Sequence, residues 1–254
     1  MKAIALGTGT SQGVPVIGCT CAVCQSTDKR DKRLRSSIYI EINNLKLLID
    51  IGPDFRSQFL ENQLTTIDAI LITHEHNDHI IGLDDVRAIN FTQKKSIPLY
   101  AEAHVNMSIR QRFEYAFQKS KIPGLPQINL NDITEEKFKI QDLLIQPLRV
   151  MHGKLPILGF KIGDLAYITD ASQIDNDTIN KIKDIKVLII NALRQEKHYS
   201  HFTLSEALSH IEKINPQRAY ITHISHNMGL NRDWEQLLPD NVNALLDNMV
   251  IKMT

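Results

Sequence analysis

The sequence has no surplus of either charge: 29 Lys and Arg are matched by 29 Asp and Glu. A net charge of zero supplies no global field to draw in nucleic acid or an anionic membrane, so composition gives a polyanionic partner no support. Nowhere do about 18 apolar residues follow one another, which removes the signal for a transmembrane helix. The opening stretch, Met1 to Gly7, passes straight into a glycine-rich segment without the apolar core of a secretory signal. The expectation is a soluble, cytoplasmic protein with no membrane partner.

Cysteine is scarce too. The chain has three, and all fall within six positions, Cys19, Cys21 and Cys24. An odd number at that spacing is a poor disulfide framework, and crowded thiolates suggest metal. C-x-C-x-x-C supplies three soft ligands and needs a fourth to close a tetrahedral zinc site, for which His226 is the candidate. Such a site has no open position and would be structural. Nucleotide fingerprints are missing as well: Gly7-Thr8-Gly9-Thr10-Ser11-Gln12-Gly13 has neither the Lys-Ser/Thr ending of a P-loop nor GxGxxG spacing, and reads as a turn. No repeat, low-complexity tract or linker interrupts the chain. Residues 1–254 therefore read as one large α/β domain with a zinc-binding loop at 15–28.

What the chain does have is a burst of metal-binding side chains after a short apolar run. Ile70 to Ile72 has the pattern of a strand buried on both faces, and His74, Glu75, His76, Asn77, Asp78 and His79 follow almost at once. Strand ends are where α/β folds place their sites. A tight turn here could aim His74 and His76 at one point and Asp78 and His79 at another. Imidazole and carboxylate suit divalent transition metals, and a pair of ions is a known hydrolytic arrangement. The chain is expected to continue as a helix across 80–87, where Asp84 and Asp85 fit a solvated face better than ligation, and His104 reads as a cap or surface residue.

His74-x-His76-x-Asp78-His79 at a strand end resembles the signature of the metallo-β-lactamase fold superfamily. The resemblance implies an α/β (α+β) fold, a four-layer αβ/βα sandwich of two facing sheets with helices outside and a dinuclear metal centre at one edge. On that pattern His74, His76 and His152 would hold one ion, and Asp78, His79 and His223 the other. Asp170 would bridge them, and Asp50 would support the ligand loop from behind. His152, Asp170 and His223 each stand at the end of a strand-like run, 143–150, 165–169 and 217–222. The capping box Thr203-Leu204-Ser205-Glu206 starts a helix just after His201, which could reach the metals as a general acid. His198 and His210 have no comparable support.

The early Gly7-Thr8-Gly9-Thr10, Pro15, Gly18, the cysteine cluster and His226 narrow the resemblance. Together they look like the cyclic-phosphate phosphodiesterases of the carbon-phosphorus lyase (phosphonate) pathway, a branch related to tRNase Z. That resemblance implies opening of 5-phosphoribosyl 1,2-cyclic phosphate by a dinuclear centre of manganese or zinc, beside one structural zinc. It also implies catalytic roles for Asp78 and for His201, which stands 22 positions before His223, and a homodimer. The partner expected is a small-molecule phosphodiester, not nucleic acid. Ser200-His201-Phe202-Thr203-Leu204-Ser205-Glu206-Ala207 departs from that branch. A hydrolase of another ester or thioester, a tRNA 3′-processing nuclease and a non-catalytic metal-binding scaffold stay open. Residues 119–131, with Pro123-Gly124 and Pro126, read as a loop that could shape substrate entry, with Phe91, Tyr115 and Phe117 as lining.

Overall fold

Period-two alternation decides which layer each strand side chain enters. In β1 (Lys2–Gly7), Ala3 and Ala5 face one apolar cluster while Ile4 and Leu6 face another; Ile38 and Ile40 divide from Tyr39 in β2 (Ser37–Ile42) in the same way. The computed structural model describes residues 1–118 and 124–253. Its first sheet continues through β3 (Leu45–Ile49), β4 (Ala69–Leu71), β5 (Ile97–Glu102) and β6 (Ile128–Ile133). The second holds β7 (Phe138–Ile140), β8 (Leu143–His152), β9 (Leu155–Ile162), β10 (Leu165–Ile168), β11 (Val187–Asn191), β12 (Arg218–Thr222) and β13 (Val242–Ala244). A last strand, β14 (Val250–Lys252), returns to pair with β1, so the order of the first sheet is β14-β1-β2-β3-β4-β5-β6 and of the second β13-β12-β11-β10-β9-β8-β7.

Both sheets are mixed. Within each, an antiparallel part gives way to parallel strands, β3 to β6 and β10 to β13. Three buried clusters separate the layers. One lies between the sheets and takes Leu47, Ile49, Phe160, Tyr167, Val187 and Ile189. The second seats the helices Asn176–Lys181 and Leu204–Ile214 on one sheet through Ile179, Ala207, Ile211 and Leu188. The third seats Phe55–Glu61, Val86–Gln93 and Ala103–Arg112 on the other through Phe55, Val86, Ile109 and Leu48. Two sheets, each covered by helices on its outer face, make the four layers expected.

The helix expected across 80–87 is broken: Asn77–Ile80 gives way to a 3₁₀ segment at Ile81–Asp85 before the helix Val86–Gln93. Gly82 lies against the turn at Gly52, where an added Cβ would meet the Gly52 carbonyl oxygen at 2.2 Å. The loop expected over 119–131 ends early, because β6 begins at Ile128; residues 119–123 lie outside the described residues. β6 escapes a pattern reading because only its two ends, Ile128 and Ile133, are buried. Among the described residues no helix is long and apolar enough to cross a membrane.

Candidate dinuclear metal site

The side chains singled out by sequence meet where strands of both sheets end. His152 closes β8, Asp170 follows β10 by two residues, His223 follows β12 directly, and the 74–79 turn follows β4. Three non-glycine residues here take left-handed backbone conformations, Asp50 (φ 62°), Asp170 (φ 62°) and His223 (φ 56°). Such conformations are uncommon for side-chain-bearing residues and cluster at functional sites, and here each turns a side chain off a strand end. The 74–79 turn is seated by a close approach: an added Cβ at Gly52 would lie 2.1 Å from the Asp78 carbonyl oxygen.

Donor atoms of His74, His76 and His152 lie within 4.8 Å of one another, as do those of Asp78, Asp170 and His223, and of His74, His79 and Asp170. His152, Asp170 and His201 form a fourth such group, so Asp170 is common to three of the four. His74 Nε2 stands 2.9 Å from His76 Nδ1 and 3.9 Å from Asp170 Oδ2. His152 Nδ1 donates to the Ser200 carbonyl at 2.7 Å, which leaves Nε2 free to face the other rings. Asp50 lies behind: its carboxylate accepts from the Thr73 amide at 2.9 Å and the Thr73 hydroxyl, and pairs with His79 Nδ1 at 2.7 Å. Burial pushes the Asp50 carboxyl up, opposed by His79 and Thr73.

A cation fits this arrangement on one observation above the rest. His79 Nε2 is buried without a hydrogen-bond partner among the described residues, yet sits 3.1 Å from Asp78 Oδ2 and 3.4 Å from Asp170 Oδ1. With the Nδ1 proton given to Asp50, a bare lone pair would face two carboxylates, which is stable only with positive charge between them. The ionisation of the protein alone points the same way. Burial drives the His79 pKa down, but Asp78, Asp170 and Asp50 outweigh it and hold it well above the ordinary imidazole value. Asp170 lies well below the usual carboxylate range despite burial, because of His223 and His79. Burial pushes His74, His76 and His223 down, with their carboxylate neighbours opposing.

His201 joins the site. Its ring lies 4.6 Å from that of His152 and 4.9 Å from that of His223, and its Nδ1 has no partner among the described residues. Burial pushes its pKa down to about 3, so the ring is neutral near pH 7. His198, which the sequence left unsupported, lies 5.2 Å ring to ring from His201. His104 and Asp84 stay apart: His104 is 3.7 Å from Glu75, and Asp84 accepts from Tyr115 and pairs with Arg87. His210 packs on Phe202 instead. Phe91, 68% exposed, lines an outer cavity with Arg87, Lys94 and Leu125.

A second cluster lies three residues beyond His223. The sulfurs of Cys19, Cys21 and Cys24 stand 3.3, 3.4 and 3.5 Å from His226 Nδ1. An ion bonded tetrahedrally at about 2.3 Å to sulfur and about 2.0 Å to nitrogen imposes a separation of about 3.5 Å. The donor set and its spacing therefore fit zinc. Backbone N–H groups of Val16 and Cys24 donate to Cys24 and Cys21 sulfur. The Cys24 amide draws the Cys21 thiol down to about 6, while burial lifts Cys24 to about 11.

Residues 46–224 match the family model described as beta-lactamase superfamily domain. A Porphyromonas gingivalis protein named octanoyltransferase is 42% identical over 252 residues, covering 98% of this chain and 51% of that protein. Coenzyme PQQ synthesis protein B of Methylobacterium nodulans is 26% identical over 171 residues, 62% of this chain and 54% of that protein. The chain thus spans about half the length of these curated relatives. Among solved structures, a diphosphatase from the PhnP family superposes with a TM-score of 0.93 at 35% identity, covering 100% of this chain and 98% of that one. Zinc-bound PqqB from Methylobacterium extorquens shares the fold at TM-score 0.80 and 18% identity, with both chains covered in full.

Proposed function

The chain belongs to the beta-lactamase superfamily, and from that premise we propose that it is a dinuclear metal-dependent phosphodiesterase that opens a small cyclic phosphodiester such as 5-phosphoribosyl 1,2-cyclic phosphate. The observation that carries the proposal is the chain of adjoining donor groups, His74–His76–His152, His74–His79–Asp170 and Asp78–Asp170–His223, linked through His74 and Asp170. The 35% identity to a PhnP-family diphosphatase along the whole chain supports phosphorus as the centre attacked.

His74, His76 and His152 would hold one ion and Asp78, His79 and His223 the other, with Asp170 available to both. Manganese or zinc held there supplies water activation near neutral pH and draws charge from phosphoryl oxygens. The chain supplies the rest. Asp50 and the Ser200 carbonyl each accept a hydrogen bond from an Nδ1–H, of His79 and His152, and so keep both Nε2 atoms turned inward. His201 is neutral, so it serves as an N–H donor to a phosphoryl or leaving oxygen and not as an imidazolium acid. Cys19, Cys21, Cys24 and His226 would hold a separate zinc that ties the 15–28 loop to the floor of the site.

The relative named octanoyltransferase favours a second reading, in which the same site cleaves an acyl ester or thioester. The test is turnover of a five-membered cyclic ribose phosphodiester against an octanoyl thioester by the metal-loaded protein. A kcat/KM preference of at least about 100-fold for the diester is expected. The opposite preference would move the assignment to acyl chemistry. A tRNA-processing role has less support, since equal numbers of acidic and basic residues offer no general grip on RNA.

A further inference from the structure

Three histidines of the site have an evident reason for the way they face: His79 rests on Asp50, His152 on the Ser200 carbonyl and His74 on the Thr73 hydroxyl. His223 lies between two hydroxyls. On the Nδ1 side lie Asp170 Oδ1 at 3.1 Å and Thr169 Oγ1 at 3.4 Å, the latter donating to the same carboxylate oxygen at 2.6 Å, so this edge of the ring faces the shared carboxylate. Thr10 Oγ1 is 3.2 Å from Nε2, the ring nitrogen other than the one that lies against Asp170. Both Thr10 and His223 are buried.

The path of the chain explains how a residue 213 positions away arrives there. The Ile224 amide donates to the Thr8 carbonyl at 2.9 Å and the Thr10 amide to the Ile224 carbonyl at 3.1 Å, so Thr8 to Thr10 brackets the residue next to His223. On the other side, the Gly9 amide donates to the Leu34 carbonyl at 2.7 Å and the Gly9 carbonyl accepts from the Ser36 amide at 3.0 Å. Side chains would block this fit: an added Cβ would lie 2.0 Å from the Arg35 carbonyl oxygen at Gly7, and 2.9 Å from Arg33 Cβ at Gly9. Gly7-Thr8-Gly9-Thr10, which matches no phosphate-binding pattern, has another use.

We propose that Thr10 is a positioning residue for His223, with the glycines of the Gly7–Thr10 loop allowing its hydroxyl to reach the ring and fix the imidazole for metal binding. The proposal rests on the two-ion reading above, in which His223 is a ligand. Partners of this kind typically contribute 10- to 100-fold to metal affinity.

The test is metal binding without turnover. Wild type, Thr10→Val, Thr10→Ser and His223→Ala are stripped of metal, checked for unfolding temperature, and titrated with zinc against a chromophoric chelator, with elemental analysis of the loaded forms. The proposal expects Thr10→Val to weaken one ion by about 10- to 100-fold and leave the cysteine-cluster metal untouched, while Thr10→Ser binds like wild type. Wild-type affinities in Thr10→Val would overturn it. So would equal weakening of all metals in both Thr10 variants together with a lowered unfolding temperature of the stripped protein, which would mark a purely structural role. His223→Ala separates the two levels. Retention of both site ions would sink the two-ion reading itself, whereas loss of an ion there with normal binding by Thr10→Val sinks only the Thr10 proposal.

Discussion

At the scale of single residues, the proposed role of His201 as a donor toward reacting oxygens rests on its neutral ring and on a ring nitrogen within 4.8 Å of donor atoms of His152 and Asp170. His201→Ala should lower kcat on a cyclic diester by about 10²- to 10³-fold with metal content unchanged, and elemental analysis beside the kinetics checks both halves. The site histidines also set acid sensitivity in the metal-stripped protein. Burial holds His74, His76, His201 and His223 below their ordinary value, so the unfolded chain binds protons near pH 6.5 that the folded chain refuses. Their contribution is full above about pH 6.5 and is lost as pH falls. His79, shifted up, acts in the opposite sense, contributing below that pH, but stands against four. Denaturant midpoints of the stripped protein should therefore be lower at pH 5.5 than at pH 7.5; equal or higher midpoints would contradict this. The donor side chains that the structure brings together could be read from sequence because they crowd at strand ends in chemically distinct types. Their supports could not. Thr10, Thr73 and the Ser200 carbonyl are ordinary groups until the fold brings them to an imidazole nitrogen.

Among the elements, the 15–28 loop has little regular structure of its own, a four-residue helix at Ala22–Gln25 and a little backbone pairing. Its stability would come from the Cys3His cluster, so His226→Ala should release one metal and speed proteolysis within this loop while the other two ions stay. Loss of no metal would remove the zinc from the account. Strands buried on both faces, such as β4 and β11, were legible as unbroken apolar runs, and the Thr203–Glu206 capping box was legible as a helix start that the structure contains. β6, β7 and β13 were not, because each is a sheet-edge or near-edge strand with polar residues inside it and few buried positions. The broken helix after His79 was hidden for another reason. It follows from a contact between Gly82 and Gly52, 30 positions apart, that no local pattern records.

For the whole molecule, the apolar layer between the two sheets holds the halves of the site in register, since the 74–79 turn comes from one sheet and His152, Asp170 and His223 from the other. Phe160 is fully buried in that layer. Phe160→Ala should cost about 3–5 kcal/mol in denaturant unfolding, whereas Leu144→Ala, at a position 47% exposed, should cost less than about 0.5 kcal/mol. Similar costs at both positions would mean that this layer is not where stability resides. The four-layer plan was legible through the superfamily motif, and the alternation within β1 and β2 then sorts the side chains between layers. Sharing of Asp170 by two ions that together perform the proposed hydrolysis is tested by elemental analysis of wild type and Asp170→Ala, each assayed in the same preparation with bis(p-nitrophenyl) phosphate. Three metals per wild-type chain with diester cleavage are expected, and in Asp170→Ala loss of at least one site ion with abolished cleavage and the cysteine-bound zinc retained. A variant that keeps all three metals and its activity would contradict it.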